Sequence, residues 1–299
     1  MTNADYIFVK TCSDIIYQPD LNLQKTRACW VEEDGSKAPA RTKHIFGVVN
    51  RYLLSKGSEF PIMTLRQTYW KKALDEILWI YQTKSNNVKN LNSHIWDAWA
   101  DEKGSIGKAY GYQCGKKYPQ MDITLNEGDK NSAIVYMDQV ERAIYDLKHN
   151  PTSRRIMINM WNVEDLPEMN LVPCAYSLTL NVCNGRLNGL LNQRSQDMLT
   201  ASNWNVVQYT FLMMMIGRAV ELPLGELIHV IGDCHIYDRH IPMVEQMLDS
   251  VGENTFKAPL MGDIIFNPDK TEFGTFTVDD FDIPNYEYMK TDFKIPVAV

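Results

Sequence analysis

The chain has 299 residues, of which 45% are hydrophobic and 22% are charged, and its formal net charge is −7. This balance is typical of an ordinary globular protein, and the negative charge does not favour general nucleic-acid binding. The longest strongly apolar run, near residues 211–216, is far too short to cross a membrane.

The predicted elements, in chain order, are helices and strands at irregular spacing. Helical periodicity predicts helices over 68–83, 135–148 and 204–220. Strands are predicted at 155–161, 175–183, 186–194, 227–232 and 273–278. No linker or repeat divides the chain, so residues 1–299 are predicted to form one α+β domain with one substantial sheet.

Cysteine usage indicates the compartment. The six cysteines are Cys12, Cys29, Cys114, Cys174, Cys183 and Cys234. None forms a CxxC pair, and the N-terminus lacks a basic region followed by an apolar core. We therefore expect no disulfide framework, no signal peptide and a reducing cytoplasm.

The clearest local pattern is a hairpin at Asn184-Gly185, which separates two alternating runs. Asn-Gly is the strongest short hairpin signal, because both turn residues need positive φ. In a two-residue hairpin, opposite residues have numbers with a constant sum, so that Cys183 faces Arg186. This register can be carried back to the far ends of both strands.

At those far ends, the register predicts that Cys174 faces Ser195, with Arg194 and Gln193 beside it. A bulge would shift the pairing by one residue. A guanidinium lowers the pKa of a nearby thiol, and the thiolate is the reactive form. Cys174 is therefore either a nucleophile or a buried structural cysteine, and the pattern leaves both open.

Glu76 is the second candidate functional residue. It shares one helical stripe with Tyr69, Ala73 and Ile80, which places its carboxyl among apolar side chains. A carboxyl in such a place should have a raised pKa suited to proton transfer. The alternative is a partly exposed residue at the edge of the helix.

Several ordered segments together carry a resemblance to a known family. "SRRIMINMWNVEDLPEMNLVPCAYSL" (153–178), "NQRSQDM" (192–198), "IWDAWADEKGSIGKAYG" (95–111), "IGDCHIYDRHI" (231–241) and the terminal "KIPVAV" (294–299) resemble the thymidylate synthase family over nearly the whole chain. The resemblance implies one domain with a large twisted mixed sheet flanked by helices, the sheets packing back to back in a homodimer. It also implies conversion of dUMP to dTMP with 5,10-methylenetetrahydrofolate as co-substrate, leaving dihydrofolate, and no metal.

The resemblance implies roles for four catalytic residues. Cys174 matches the nucleophile that attacks C6 of the uracil ring. Glu76 matches the acid–base residue that organises water near O4, and Tyr110 belongs to the same proton network. Asn205 matches the residue that selects uracil, because a carboxamide donates to O4 and accepts from N3–H. On position alone, Asn205 is equally well a helix N-cap.

The resemblance also implies a set of substrate contacts. Arg194 and Ser195 bind the dUMP phosphate from one subunit and Arg27 closes over it, while Arg154 and Arg155 reach across from the other subunit. The further substrate-binding positions are Gln193, Asp197, Asn205, His235 and Tyr237, of which His235 and Tyr237 match contacts to the ribose O3′.

For folate, the resemblance implies a separate set. Trp96 and Trp99 match the pair that packs beside the pterin and aminobenzoyl rings, and Asp197 matches a carboxylate that hydrogen-bonds the pterin. Val297 and Ala298 belong to a C-terminal segment that folds over the ligands. Without the resemblance, such a terminus would be a frayed tail.

This chain departs from the family pattern at several places. "TASNWN" (200–205) stands where the family usually has Leu-Gly-x-Pro-Phe-Asn, so phenylalanine is replaced by Trp204. Ala175 replaces a frequent histidine, and Arg66 replaces a lysine. The segment 27–44 replaces a Gly- and Thr-rich phosphate loop, so Lys37 or Arg41 are alternatives to Arg27.

Two alternative functions remain. One is a dUMP or dCMP hydroxymethylase on the same fold, in which water rather than hydride quenches the intermediate; Asn205 argues against the cytosine version. The other is a nucleotide- or RNA-binding homologue without turnover, against which the retained Cys174, Glu76 and arginines argue. The net charge gives no support to RNA as the main partner.

Overall fold

The computed structural model describes residues 1–19, 22–120 and 134–299. The helices are α1 (Asn3–Ile16), α2 (Trp70–Tyr81), α3 (Gly111–Gly115), α4 (Gln139–His149), α5 (Ser202–Ala219) and α6 (Ile241–Asp249). The strands are β1 (Gln24–Val31), β2 (Lys37–Leu53), β3 (Tyr118–Gln120), β4 (Val135–Met137), β5 (Met157–Asn159), β6 (Ala175–Cys183), β7 (Arg186–Asp197), β8 (Leu224–Tyr237), β9 (Ile265–Phe266) and β10 (Phe281–Asp282). Short 3-10 helices lie at Val88–Asn90, Asp97–Trp99, Leu166–Glu168, Asp238–His240, Ser250–Glu253 and Val278–Asp280.

Six of the strands form one sheet in the order β1-β2-β8-β7-β6-β5. β7 and β8 are parallel, and the other neighbours are antiparallel. Helix α5 makes the crossover that a parallel pair requires. The predicted α+β fold with a large mixed sheet flanked by helices is therefore confirmed.

Helix α5 is the centre of the main core, as its nearly all-round apolar sequence predicts. Phe211, Met213 and Ile216 are fully buried in it. They share one hydrophobic cluster with Ile77 of α2 and with Leu191 of β7. Helix α5 thus packs on β7 and β8, and α2 packs on α5, which fixes the positions of the polar residues at the ends of these elements.

The predicted helix at 135–148 begins later than expected. Residues 135–137 form β4, and Asp138 caps α4 by accepting hydrogen bonds from the backbone N–H groups of Val140 and Glu141. Glu141 in turn accepts from the Asp138 backbone, which completes a capping box. The cap, rather than the apolar pattern, sets the boundary.

The predicted strand at 273–278 is wrong. Gly274 has a φ of +107°, and Thr277 forms a capping box with Asp280 at the 3-10 helix Val278–Asp280. Local side-chain to backbone hydrogen bonds of this kind compete with strand formation. Conversely, α1, β1 and β2 were not anticipated, and β8 runs well beyond the predicted 227–232.

The opposite face of the sheet carries apolar side chains that helices do not bury. Phe46, Val49 and Leu53 on β2 are 85%, 58% and 62% exposed. Leu190 on β7 and Ile228 on β8 are half-buried beside them, although their sequence neighbours Leu191 and Leu227 are fully buried. Val49 and Leu53 share this face by strand alternation, and Phe46 joins them because the alternation is interrupted at Gly47, whose φ is +82°.

Candidate active site

Cys174 immediately precedes β6, as the hairpin arithmetic predicts. The pairing of β6 with β7 follows the predicted register from Cys183 and Arg186 to Ser177 and Asn192, and then shifts by one residue. The N–H of Arg194 donates to the Cys174 carbonyl at 2.9 Å. The residue opposite Cys174 is therefore Arg194 rather than Ser195, because of a bulge.

The Cys174 thiol lies in a polar corner of the site. Nη2 of Arg194 is 3.6 Å from its Sγ, and the same guanidinium is anchored on the carbonyls of Val172 and Pro173. The backbone N–H of Cys174 donates to the Tyr110 hydroxyl at 3.0 Å. The fold therefore places the anchored guanidinium of Arg194 and the hydroxyl of Tyr110 beside Cys174.

The pKa of this thiol is nevertheless raised, which corrects the sequence-based expectation. Burial disfavours the thiolate, and this influence exceeds the opposing ones of Arg194 and Tyr110. Arg194 acts in the predicted direction without deciding the net result. Burial thus works against the thiolate, while Arg194 and Tyr110 work in its favour.

Glu76 lies on α2, 7% exposed, with an indole N–H on each carboxyl oxygen. Trp96 Nε1 donates to Oε1 at 3.0 Å and Trp204 Nε1 donates to Oε2 at 2.7 Å. Burial raises its pKa to about 7, against the lowering influence of the two indoles and of Gln208. The predicted raised pKa is confirmed, and this value suits proton transfer near neutral pH.

Tyr110 and Trp96 connect these two centres. The Trp96 ring packs edge-on against the Tyr110 ring, with centroids 4.9 Å apart. Tyr110 thus contacts the backbone of Cys174 at one end and the indole that holds Glu76 at the other. Its φ of 44° is a strained conformation for a residue other than glycine, and such strain often marks functional sites.

Asn205 lies in a chain of side-chain amides that fixes its orientation. His229 is neutral, since burial lowers its pKa to about 3, and its Nε2 lies 2.8 Å from Gln193 Oε1. Gln193 Nε2 donates to Asn205 Oδ1, and Asn205 Nδ2 donates to Gln208 Oε1. Each residue in this chain donates to the next, from His229 to Gln208. The positions of the Asn205 acceptor Oδ1 and donor Nδ2 are therefore fixed.

The end of β7 and the end of β8 carry the next group of expected residues. Asp197 accepts from the N–H of Leu199 at 3.0 Å and from the hydroxyl of Thr200 at 2.7 Å, and its side chain keeps 15% exposure. Burial is the largest single influence on its pKa and raises it, but His240, His235 and Thr200 together outweigh burial, so the pKa is lowered. Asp197 pairs in register with His235 of β8.

His235 and Tyr237 lie together on β8. Nδ1 of His235 is 2.6 Å from Asp233 Oδ1, and its ring packs edge-on against Tyr237 at 5.2 Å. Ser195 pairs with Asp233 on the neighbouring strand, so these residues share the sheet end that holds Cys174 and Arg194. The structure thus brings together the site residues expected on β6, β7 and β8.

The aromatic pair and the C-terminus are also placed. Trp99 is half-buried and packs edge-on against Trp96 at 5.8 Å. At the C-terminus, the N–H and carbonyl of Val299 exchange hydrogen bonds with Cys29 of β1, at 3.0 and 2.8 Å. Val297 and Ala298 therefore belong to a terminal segment that is attached to a strand.

The remaining arginines lie apart from this cluster. Arg27 is an exposed residue of β1, two positions from the Cys29 that holds the C-terminus. Arg154 and Arg155 are exposed before β5. The Leu180 N–H donates to the carbonyl of Ile156, so Arg155 lies about 20 Å along β6 from Cys174, at ~3.3 Å per residue.

Sequence reasoning missed three polar contributors, namely Trp204, Gln208 and His229. Trp204 and Gln208 are four residues apart on α5, so both face Glu76 from one side of that helix. This spacing beside Asn205 was an available signal. His229 gave none, because its role depends on the pairing of β7 with β8.

Across residues 1–19, 22–120 and 134–299, no group of three or more His, Cys, Asp or Glu side chains could hold a metal ion. Over the same ranges, no helix is long and apolar enough to cross a membrane.

A partly buried thiol beside an arginine, joined through a tyrosine to a buried carboxyl with a pKa of about 7, is typical of an enzyme that combines covalent and acid–base catalysis. The comparisons with known proteins agree with that class. A family model described as thymidylate synthase matches residues 8–299.

Individual relatives give the same result. A thymidylate synthase of Bacillus subtilis subsp. natto is 39% identical over 292 residues, covering 96% of each chain. Thymidylate synthase 1 of Bacillus amyloliquefaciens is 41% identical over 244 residues, 80% of this chain and 99% of the relative. The solved structure of thermostable thymidylate synthase A from Bacillus subtilis superposes with a TM-score of 0.84 at 36% identity, covering 99% of both chains.

The chain belongs to the thymidylate synthase family. Its enzymatic class is that of a folate-dependent methyltransferase.

Proposed function

We propose that this protein converts dUMP to dTMP, with 5,10-methylenetetrahydrofolate as donor of both the carbon and the hydride and dihydrofolate as product. One observation carries the proposal beyond family membership: Cys174 and Glu76 are joined through Tyr110 and Trp96, so a nucleophile and an acid–base group share one centre. The pyrimidine ring would bind between them.

Cys174 supplies the nucleophile. Its thiolate adds to C6 of uracil, which turns C5 into an enolate-type carbon nucleophile. Arg194 at 3.6 Å stabilises the thiolate, and burial keeps the thiol protonated until the substrate is in place. The same Cys174–C6 bond breaks at the end of the cycle, which returns the thiol.

Glu76 moves the protons. A carboxyl with a pKa of about 7 is present in both protonation states at neutral pH, and it exchanges protons with water near O4 as the charge on the ring changes. Tyr110 extends this network toward Cys174. The proton that leaves C5 after carbon transfer can therefore pass to the network of Tyr110, water and Glu76.

Asn205 selects the base. The amide chain presents its Oδ1 and Nδ2 in fixed positions, so that Oδ1 accepts from uracil N3–H and Nδ2 donates to O4. Cytosine carries an unprotonated N3 and an amino group in these positions, so Oδ1 would face an acceptor and Nδ2 would face a donor. His235 and Tyr237 bind the ribose O3′ from β8.

The folate site would lie beside this centre. Trp96 and Trp99 offer aromatic surface, and Asp197 retains an ionised, partly exposed carboxylate that accepts from pterin N–H groups. The C-terminal residues Val297 and Ala298, attached beside β1, close over the ligands. When bound, the co-substrate supplies the one-carbon unit and the hydride.

The phosphate site is shared in a homodimer. Arg194, Ser195 and Arg27 belong to one chain, whereas Arg155 lies too far along β6 to reach the site of its own chain. The apolar outer face of the sheet, with Phe46, Val49 and Leu53 exposed, is the surface on which two sheets pack back to back. Arg154 and Arg155 then enter the partner's site.

All six cysteines are free thiols, which fits a reducing cytoplasm as the site of action.

Product analysis tests the proposal. After incubation with dUMP and 5,10-methylenetetrahydrofolate, mass spectrometry should find dTMP and dihydrofolate in equal amounts. Hydroxymethyl-dUMP with tetrahydrofolate would instead establish the hydroxymethylase. Binding without turnover would establish a nucleotide-binding homologue.

A further inference from the structure

Two indole N–H groups donate to the Glu76 carboxyl. One belongs to Trp96, and the other belongs to Trp204 on α5, which the sequence analysis did not connect with Glu76. Trp96 holds Oε1 at 3.0 Å, and Trp204 holds Oε2 at the shorter distance of 2.7 Å. The family pattern that this chain resembles has phenylalanine at this position, and phenylalanine carries no N–H. Trp204 therefore gives Glu76 a hydrogen bond that phenylalanine could not provide.

We propose that Trp204 is a positioning residue for the proton-transfer step, fixing the plane of the Glu76 carboxyl group together with Trp96. The inference rests on the proposed acid–base role of Glu76. The terminal torsion of a glutamate is broad and roughly two-fold, so one donor alone leaves the group free to turn. Donors from two separate segments, one on each oxygen, remove that freedom.

The surroundings of Trp204 support this role. Its helix also carries Asn205 and Gln208, so one turn of α5 holds the uracil-selecting amide and the Glu76 donor. The Trp204 ring is half-buried and lines an open cleft with Thr68, Thr200 and Ile295. Trp204 therefore lies between this cleft and the Glu76 carboxyl that it holds.

A hydrogen bond to a carboxylate favours the charged form. Among the influences that lower the pKa of Glu76, that of Trp204 is the largest, followed by those of Trp96 and Gln208. The titratable groups that face Glu76 are Asp75 on its own helix, Tyr110 at the start of α3 and Tyr209 on α5. Removing the Trp204 N–H should accordingly raise the pKa of Glu76.

The test compares Trp204→Phe with Trp70→Phe. Trp70 lies on the same helix as Glu76 and packs against Phe211 with centroids 5.9 Å apart, so its replacement removes an equal indole near the same core. The pKa of Glu76 is followed in the unliganded protein by carbon-13 NMR of glutamate labelled at Cδ, with Glu76→Gln identifying the resonance.

We expect the Glu76 titration to move to higher pH in Trp204→Phe and to stay in place in Trp70→Phe. The acid limb of kcat/KM should move with it, so that Trp204→Phe loses about tenfold at pH 7, the size of one charge-assisted hydrogen bond, and recovers at higher pH. A residue that only fills space would lower activity equally at all pH values.

A second variant separates the N–H from the shape of the ring. Incorporation of 3-benzothienylalanine at position 204 keeps a bicyclic ring and replaces the N–H by sulfur. It should reproduce the NMR shift of Trp204→Phe. If the pKa of Glu76 in both position-204 variants equals the wild-type pKa, the inference is overturned. Because the NMR titration needs no turnover, it stands even if the product analysis rejects the proposed reaction.

Discussion

The catalytic centre of this protein and its exposed arginines Arg27 and Arg155, here called the arginine rim, are built in opposite ways. Cys174, Glu76 and Asn205 are held by hydrogen bonds inside one chain, each from a different element. Arg27 and Arg155 are exposed, and within the described residues their guanidinium groups make no hydrogen bond or ion pair. One chain thus brings the thiol, the carboxyl and the amide together, whereas these two arginines lie outside that cluster.

The physical reason lies in the cost of burial. A neutral thiol, a carboxyl with a pKa of about 7 and a set of amides can be desolvated when each is hydrogen-bonded. Several arginines facing one another could not be buried without an anion. Arg27 and Arg155 avoid that cost by remaining in solvent.

The largest effect is expected from the centre itself. Cys174→Ala should abolish dTMP formation and the stable covalent adduct with 5-fluoro-dUMP and folate, because it removes the thiol that lies 3.6 Å from Arg194. Mass spectrometry of the denatured protein detects the adduct. Cys183→Ala, which changes an exposed cysteine, is the matched control. An adduct on the Cys174→Ala protein would mean that another cysteine does the chemistry.

The rim is tested by mixing two inactive chains. Arg155→Glu removes a donated phosphate contact, and Cys174→Ala removes the nucleophile. In a mixed dimer, the intact Arg155 of one chain serves the intact Cys174 of the other, so one site regains all its parts. Random pairing gives half mixed dimers, and activity should return to roughly a quarter of wild type. A mixture that stays inactive, although mixed dimers form, would place Arg155 in its own chain's site.

Burial of Glu76 should be visible in the pH dependence of stability. Its pKa is raised from 4.5 to about 7, so the folded state binds the proton more tightly than the unfolded state. Stability from this group is therefore full below pH 4.5, falls as pH rises to 7 and is lost above it, by about 3 kcal/mol. Urea unfolding of wild type and Glu76→Gln across this range measures it. Parallel curves would mean that Glu76 is not held in an apolar place.

A smaller effect is expected at the base-selecting amide. Asn205→Asp should shift preference toward dCMP, because a carboxylate accepts from the exocyclic amino group. Such a contact contributes roughly 1–3 kcal/mol, or about ten- to a hundredfold in the ratio of kcat/KM values. Asn203→Asp on the same helix turn is a position-matched control, although its amide bonds Met63 and Thr68. An unchanged ratio in Asn205→Asp would remove the assignment.

The sequence by itself determined the parts that depend on local pattern. The Asn184-Gly185 turn fixed a register that placed Cys174 within one residue of its true partner, since a hairpin has only one alignment for a given turn. The helical stripe around Glu76 likewise predicted its burial and its raised pKa. Which residues share one face of a helix depends only on their spacing in the sequence, so it can be predicted without the tertiary structure.

Only the tertiary structure decided what depends on distant segments. The bulge that moves Arg194 opposite Cys174, and the burial that raises the thiol pKa, arise where several elements meet. The contact between Trp204 and Glu76 joins residues 128 positions apart. No local pattern encodes such a distance, because it is set by how α2 packs against α5.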